Sequence, residues 1–576
     1  MNFIVNESKE KLRGGYYTPE FIARYLARWI CSSGAKSVLE PSCGDGEFVS
    51  ALSMERAAGR VIDLTAIELL DEEAAKTRDR SRKLAGVRVS VLNEDFLGWS
   101  LSAISRAQQY DAVIGNPPFI RYQYLPAEYQ QRAETIFKAF HLPFTKHTNA
   151  WVPFVVASMG LLRPGGRLGM VLPAEVIHVM HAQALRTFLG ITCKRLLIID
   201  PEEIWFKGTL QGAVMLMVEK KTQPQGRGVG LAIQRVSGTG FLSEDPQSRF
   251  ESARFVNGKT VEGKWTRALM PESARTLYDS LSANKDVKSF AQVADVDVGI
   301  VTGANKFFLV PNSVVAHYGL CKWAHPMFGR SEHCPGVIYD QRQHEENADR
   351  GLPTNFLWFA GLENKELPAQ IKSYVRLGEQ EGLHKRFKCR MRSPWFEVPS
   401  VYATEVGMLK RCHNAPRLIQ NVLGAYTTDT AYRIRTKGCG AAKLVFCFLN
   451  SLTALSAELE GRHYGGGVLE LVPSEIERLL VPLPVGIRPA VTRLDGMVRS
   501  RPMSEILVAQ DRFVLDTIGV SRAEQERIHE AWRALRDRRH RVSHEGGLDD
   551  LESEDGRDSL TPVNTKRRIQ EVAASY

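Results

Sequence analysis

The chain has 576 residues, too many for one compact core, so at least two domains are expected. Apolar residues make up 44% and charged residues 24%, a balance that argues against a disordered or fibrous chain. The net charge of +10 suggests an anionic partner, and nine scattered cysteines with no CxxC pair argue against a disulfide framework and for a reduced compartment.

The opening "MNFIVNESKEKLRGG" lacks the long apolar stretch of a signal peptide, and no run of about 18 apolar residues follows. A soluble cytoplasmic protein is expected. From residue 36 to 220, short apolar runs alternate with helical patterns, the mark of a doubly wound α/β sheet. The candidate strands are "KSVLEPS", "IDLTAIEL", "VRVSVLNED", "YDAVIGN", "GRLGMVLP", "KRLLIID" and "GAVMLMVEK". Only "PEEIWFKGTLQ" separates the last two of these seven, too little for a helical crossover, so they are expected to pair antiparallel.

The strand ends carry the candidate chemistry. In "LEPSCGDGEF", Gly44 and Gly46 permit a tight turn with close ligand approach, although a bare βα turn uses the same residues. Glu68 ends the second strand, where a carboxylate can accept both hydroxyls of a ribose or merely face solvent. Asp95 and Phe96 end the third, an acceptor for an adenine amino group beside a ring to cover its face. Three successive strands thus deliver polar groups to one sheet edge, which favours a nucleoside cofactor. The fourth strand ends in Asn116-Pro117-Pro118-Phe119. The prolines hold Asn116 and Pro117 extended, so the Asn116 side-chain oxygen and the Pro117 carbonyl can grip the two hydrogens of one planar amine. That grip would localise the nitrogen lone pair for attack on a methyl sulfonium, with Phe119 stacked on the ring. A structural turn with a packed Phe would explain the prolines but not the amide.

These motifs resemble the amino-methyltransferases, in particular the N6-adenine DNA methyltransferases of type II restriction–modification systems, gamma class, of the Taq-like, Pst-like and Eco57I-type kind. The order agrees: "GGYYTPEFIARYL", "EPSCGDGEF", "IE", "EDF", "NPPF", then "IWFKGTLQGAVMLMVEK". The resemblance implies a Rossmann-like class I sheet binding S-adenosylmethionine. Tyr17, Thr18 and Pro19 would border its methionine part, Glu40, Pro41, Gly44 and Gly46 would flank it, and Asn116 would adjoin it. Glu68 would hold the ribose, with Asp95 and Phe96 at the adenine. It also implies an aromatic residue ahead of the last strand that stacks on a flipped target base. Phe206 holds that place, with Trp205 as second candidate and a packed hairpin ring as the plain alternative.

Residues 221–245, rich in Gly, Ser and Gln, read as a linker after a catalytic domain at 1–225. Beyond it, "VGIVTGANKFFLVP", "KRFKCRMRSPWFEVP", "YTTDTAYRI" and "GRHYGGGVLELVPSEI" resemble the Pst-like recognition region, implying an α+β target-recognition domain at 246–485. Lys385, Arg386, Lys388, Arg390 and Arg392, interleaved with aromatics including Trp395, suit DNA contacts, as do Asn305 and Lys306, although such a run is often only a solvated face. Residues 486–541 read as a helical extension with a charged helix at 521–542, and 542–576 as a disordered tail. Cys321, His325, His333 and Cys334 depart from zinc spacings, so no metal is expected.

The expected partner is double-stranded DNA, bound by a monomer in a bacterial or archaeal nucleoid, with a restriction endonuclease on a separate chain. Methylation of RNA or of a protein glutamine, or a catalytically silent DNA-binding relative, are the alternatives.

Overall fold

The computed structural model describes residues 17–202, 212–226, 228–257, 263–362, 367–464 and 466–540. Among them the chain divides into two compact units. The first comprises the described residues of 17–287, 451–480 and 521–540, and the second those of 288–450 and 481–520.

The first unit is built on an eight-stranded sheet: β1 (Ser37–Glu40), β2 (Ile62–Glu68), β3 (Val87–Asn93), β4 (Tyr110–Gly115), β5 (Leu162–Pro173), β6 (Cys193–Pro201), β7 (Ala213–Lys220) and β8 (Gly230–Val236). Their order across the sheet is β3-β2-β1-β4-β5-β7-β6-β8. β7 lies antiparallel to both β5 and β6, as the short connection requires, while the remaining pairs are parallel.

Both faces of the sheet are buried, as a parallel sheet demands. Leu39, Val113, Leu168 and Ile198 face one apolar cluster, and their chain neighbours Val38, Ala112 and Leu197 face the other. Helices α4 (Phe96–Ser105), α5 (Ala127–Ala139) and α6 (Trp151–Leu161) supply the first cluster. Helices α1 (Glu20–Ser32) and α2 (Glu47–Glu55) cover the second. α3 (Asp71–Ser81) follows β2, and α7 (Gln183–Thr192) connects β5 to β6.

Three expectations change here. The sheet has eight strands, not seven: residues 221–245 contain β8, whose Leu231 and Ala232 are buried and whose whole length pairs with β6. The polar composition of that stretch belongs to its flanks, and the alternating "GLAIQRV" within it is a strand. The expected domain boundaries also differ from the observed units. Residues 451–480 and 521–540 belong to the first unit, so the described residues of "GRHYGGGVLELVPSEI" share a compact unit with the eight-stranded sheet. Finally, the charged helix at Arg522–His540 does not stand apart as part of a C-terminal extension: it belongs to the first unit, with Ile528, Trp532, Leu535, Arg538 and Arg539 buried. The tail expected to be disordered lies outside the described residues.

The second unit is α+β. Its main sheet joins β9 (Ala294–Val298), β10 (Ile338–Tyr339), β11 (Val406–Leu409), β12 (Leu418–Asn421) and β13 (Ala431–Thr436) in the order β9-β13-β11-β12-β10. A separate aromatic core includes Phe307, Phe308, Phe356, Trp395 and Phe396. Among the described residues no single helix is long and apolar enough to cross a membrane.

Candidate active site

The carboxyl ends of β1, β2 and β4 converge on one edge of the sheet. Parallel register sets Leu39 beside Val113, so Pro41 falls level with Gly115. A Cβ at Gly115 would lie 3.2 Å from Pro41 Cδ, so glycine permits the close approach of the two strand ends. Across that contact, Ser42 Oγ donates to the Asn116 carbonyl at 2.8 Å.

The turn after β1 is shaped by two left-handed glycines, Gly44 at φ +52° and Gly46 at φ +87°, the latter capping α2. α3 clamps the turn from outside. Thr77 Oγ1 donates to the Gly44 carbonyl at 2.7 Å, and Arg80 pairs with Glu47 at 2.7 Å and Asp45 at 3.0 Å. A Cβ at Gly46 would sit 3.3 Å from Thr77 Cα, whereas one at Gly44 would meet nothing within 4 Å. The turn is therefore closed on its α3 side and open at Gly44.

Glu68 is fixed in place by backbone amides: Gly44 N donates to one oxygen at 3.0 Å and Leu70 N to the other at 2.9 Å. Leu69, 65% exposed, follows it directly, and Asn93 Nδ2 secures the backbone there by donating to the Glu68 and Leu69 carbonyls. Leu69 was missed in the sequence because it looks like any strand-end apolar residue; only its exposure marks it as an apolar wall.

Glu40 is fully buried, and neither carboxylate oxygen has a hydrogen-bond partner among the described residues. Burial, with the charge of Glu68 nearby, pushes its pKa well above the ordinary carboxylate range. A buried acidic group left without a partner is costly, and such groups usually mark a place for a ligand.

The Tyr-Thr-Pro segment reaches the same edge. Thr18 is buried, and its Oγ1 accepts a hydrogen bond from Asn116 Nδ2 at 3.2 Å. Tyr17 is exposed and donates to Glu73 at 3.0 Å, and Pro19 sits at the N-cap of α1. Pro117 is buried, Pro118 half-buried, and Phe119 packs against both core clusters. The chain beyond is pinned twice, by Ala150 N to the Ile120 carbonyl and by Tyr122 N to Asn149 Oδ1. Asn149 and Trp151 both donate to Glu175, at 2.9 and 3.0 Å. Burial works to raise the Glu175 pKa, but His181 and these donors outweigh it and hold the carboxyl below its ordinary value. None of this support was legible in the sequence, because its members lie on separate turns with no motif of their own.

Asp95 caps α4 through Gly98 N at 2.7 Å and pairs with Arg132 at 2.8 Å, both on Oδ2. Phe96 is 2% exposed and packs against Phe154 and Trp99, so it supports this corner from the core rather than offering a free face. Phe206 and Trp205 lie outside the described residues.

In the second unit, three of the expected DNA contacts serve the fold. Trp395 is buried against Phe307, Asn305 bonds Thr302 and Asp429, and Arg392 donates to the carbonyls of Val301 and Thr302. Lys306, Lys385, Arg386, Lys388 and Arg390 are exposed.

Two family models match the chain: Eco57I restriction-modification methylase over residues 61–204, and the C-terminal domain of type II methyltransferase M.Eco57I over 262–515. Together they span more than half of its length. The chain belongs to the Eco57I-type restriction–modification methylases. Type II methyltransferase M.AccI of Acinetobacter calcoaceticus is 23% identical, over 80% of this chain and 84% of its own. M.BanIII of Aneurinibacillus aneurinilyticus is 29% identical over 52% of this chain and 58% of its own. Among solved structures, the type IIL restriction-modification enzyme MmeI, in complex with DNA, shares the fold with a TM-score of 0.52 at 9% identity, covering 93% of this chain and 74% of that one.

A methylase of this family draws its methyl group from S-adenosylmethionine, and the residues present fit that group. The partnerless Glu40 carboxyl suits its amino group, the open side of Gly44 admits it to the backbone, and Glu68 with Leu69 offers an acceptor beside an apolar surface.

Proposed function

We propose that this methylase transfers a methyl group to N6 of adenine in a specific duplex DNA sequence, as the modification enzyme of a restriction–modification system. The observation that carries the reading is the Asn116-Pro117-Pro118-Phe119 turn at the end of β4, set against Thr18 and Glu40 at the cofactor edge. When bound, S-adenosylmethionine supplies an electrophilic methyl group.

The remaining work falls to the chain. Asn116 is oriented by Thr18 and by the Ser42 bond to its carbonyl, and Pro117 is held extended by the following proline. Their two oxygens take the hydrogens of the target amine, drawing its lone pair out of the ring. Phe119 stacks on the base, and Phe206 is assigned the opposite contact. Adenine within a duplex is out of reach, so it must leave the stack, and the cost of unpairing falls on DNA contacts elsewhere. The gain is chiefly positioning, with the proton lost to solvent after transfer. A restriction endonuclease on a separate chain would read the same site.

Expression in a methylation-free host, followed by sequencing that detects modified bases, tests the proposal. N6-methyladenine is expected in one sequence context, and Asn116→Ala should lower the transfer rate by about 100-fold or more while still binding cofactor. Modification of cytosine, or no modified base from a folded and cofactor-bound protein, would overturn it.

A further inference from the structure

Part of the second unit's surface combines features that a soluble protein ordinarily keeps apart. Phe387 is 63% exposed and Met391 is 72% exposed, one turn apart on the short helix Phe387–Arg390 and its end. The cations Lys385, Arg386, Lys388 and Arg390 surround them, and none pairs with a carboxylate among the described residues. Lys388 Nζ and Arg390 Cζ stand 5.7 and 5.4 Å from the centre of the Phe387 ring.

The exposed tip is also rigid. Cys389, between the two apolar residues, is fully buried. Arg392 anchors the next turn to the carbonyls of Val301 and Thr302, at 2.7 and 2.8 Å. The loop carrying those carbonyls presses so closely that a Cβ at Gly303 would lie 2.8 Å from Lys388 Cβ. Side chains on a flexible loop could fold back to cover themselves; these are held outward by their own backbone.

We propose that Phe387 and Met391 form an apolar wedge that inserts between base steps of the bound DNA, while the surrounding cations hold the phosphates on either side. Duplex DNA offers an anionic surface with an apolar interior a few ångströms beneath it, and exposed Phe and Met side chains rimmed by Lys and Arg match both layers. The wedge unstacks one step and so bends or opens the duplex. This inference rests on duplex DNA being the substrate and adds how that duplex is deformed.

The test uses the full chain and a duplex carrying the site found by sequencing, with 2-aminopurine placed in turn at each position in and beside it. Wild-type protein should raise the fluorescence at one step besides the target base. The Phe387→Ala/Met391→Ala double variant should lose that signal and bind about 10-fold more weakly, with an unchanged salt slope. Phe387→Trp should keep the signal. Lys388→Ala should keep it too, while reducing the slope of log K against log salt by about 1. Unchanged affinity and fluorescence in the double variant would overturn the proposal and assign the tip to another partner. Weaker binding with an unchanged fluorescence profile would also overturn it, leaving surface contact without insertion. Failure of DNA as substrate would show separately, as absence of methylation by the wild-type protein.

Discussion

Glu68 and Glu40 stand on adjacent strands and reach the same edge, yet their environments assign them different work. Glu68 accepts two backbone amides and keeps its carboxylate at the mouth of the site. Replacing it with Ala removes a charge-assisted acceptor, so cofactor affinity should fall by about 10- to 100-fold in a calorimetric titration. The transfer rate at saturating cofactor should change little. Glu40 is enclosed and has no hydrogen-bond partner among the described residues, and burial makes it hold its proton to higher pH than an ordinary glutamate. A cationic amino group arriving beside it favours the ionised form, so cofactor binding should be coupled to proton release. Calorimetry in buffers of different ionisation enthalpy reads that release, and Glu40→Gln should abolish it. The motifs made both residues visible in the sequence. Their division of labour was not, because it depends on which of them meets a backbone amide. Phe96 shows the converse: the sequence placed a ring at the right strand end, and packing against Phe154 turned it into the core.

In the first unit α8 (Pro246–Ser252), α9 (Glu272–Ser282) and α10 (Ser451–Glu460) precede α11 (Arg522–His540), the element that departs furthest from its sequence. Its sequence is dominated by charged residues, yet it packs along α10 and buries three arginines, Arg536, Arg538 and Arg539. Arg538 pairs with Asp200 at the carboxyl end of β6, and Arg539 with Glu458 of α10, both fully enclosed. Buried ion pairs add little net stability, but breaking one leaves a charge without compensation. Arg538→Met should therefore destabilise the first unit by about 3–5 kcal/mol in chemical denaturation. The Arg538→Met/Asp200→Asn double variant should recover much of the loss. A helix at 522–540 could be read from periodicity, but its buried face includes charged residues whose partners lie 338 and 81 positions away. β8 escaped notice for a related reason: a seven-residue strand inside a polar stretch is recognisable only once β6 presents an edge for it to pair with.

At the scale of the whole molecule, buried histidines set the response to acid. Burial lowers His333 and His529 to about 4 and takes His178 well below its usual 6.5. Above pH 6.5 these groups are neutral in both folded and unfolded states. Between 6.5 and about 4 the unfolded chain binds protons that the folded chain refuses, so stability should fall as pH drops through that window. Glu458 acts lower down. Burial tends to raise it, but the charge and hydrogen bonds of Arg539 prevail and bring it to about 2. Its contribution is present above the ordinary value of 4.5 and lost as pH falls from there towards 2. Urea midpoints measured across pH 8 to 4 should show the first decline, and His529→Gln should make it shallower. The doubly wound sheet and the residues at its carboxyl edge are legible in the sequence, because strand periodicity and the glycine and proline turns are local physics. So is the family, whose motifs sit on those turns. The tertiary structure alone decided the division into units, since residues 451–480 and 521–540 return to the catalytic sheet through contacts that no local pattern encodes. It also decided which basic and aromatic residues of the second unit face outward: Trp395 and Arg392 are consumed by the fold, while Phe387 and Met391 are left exposed, a matter of long-range packing rather than composition.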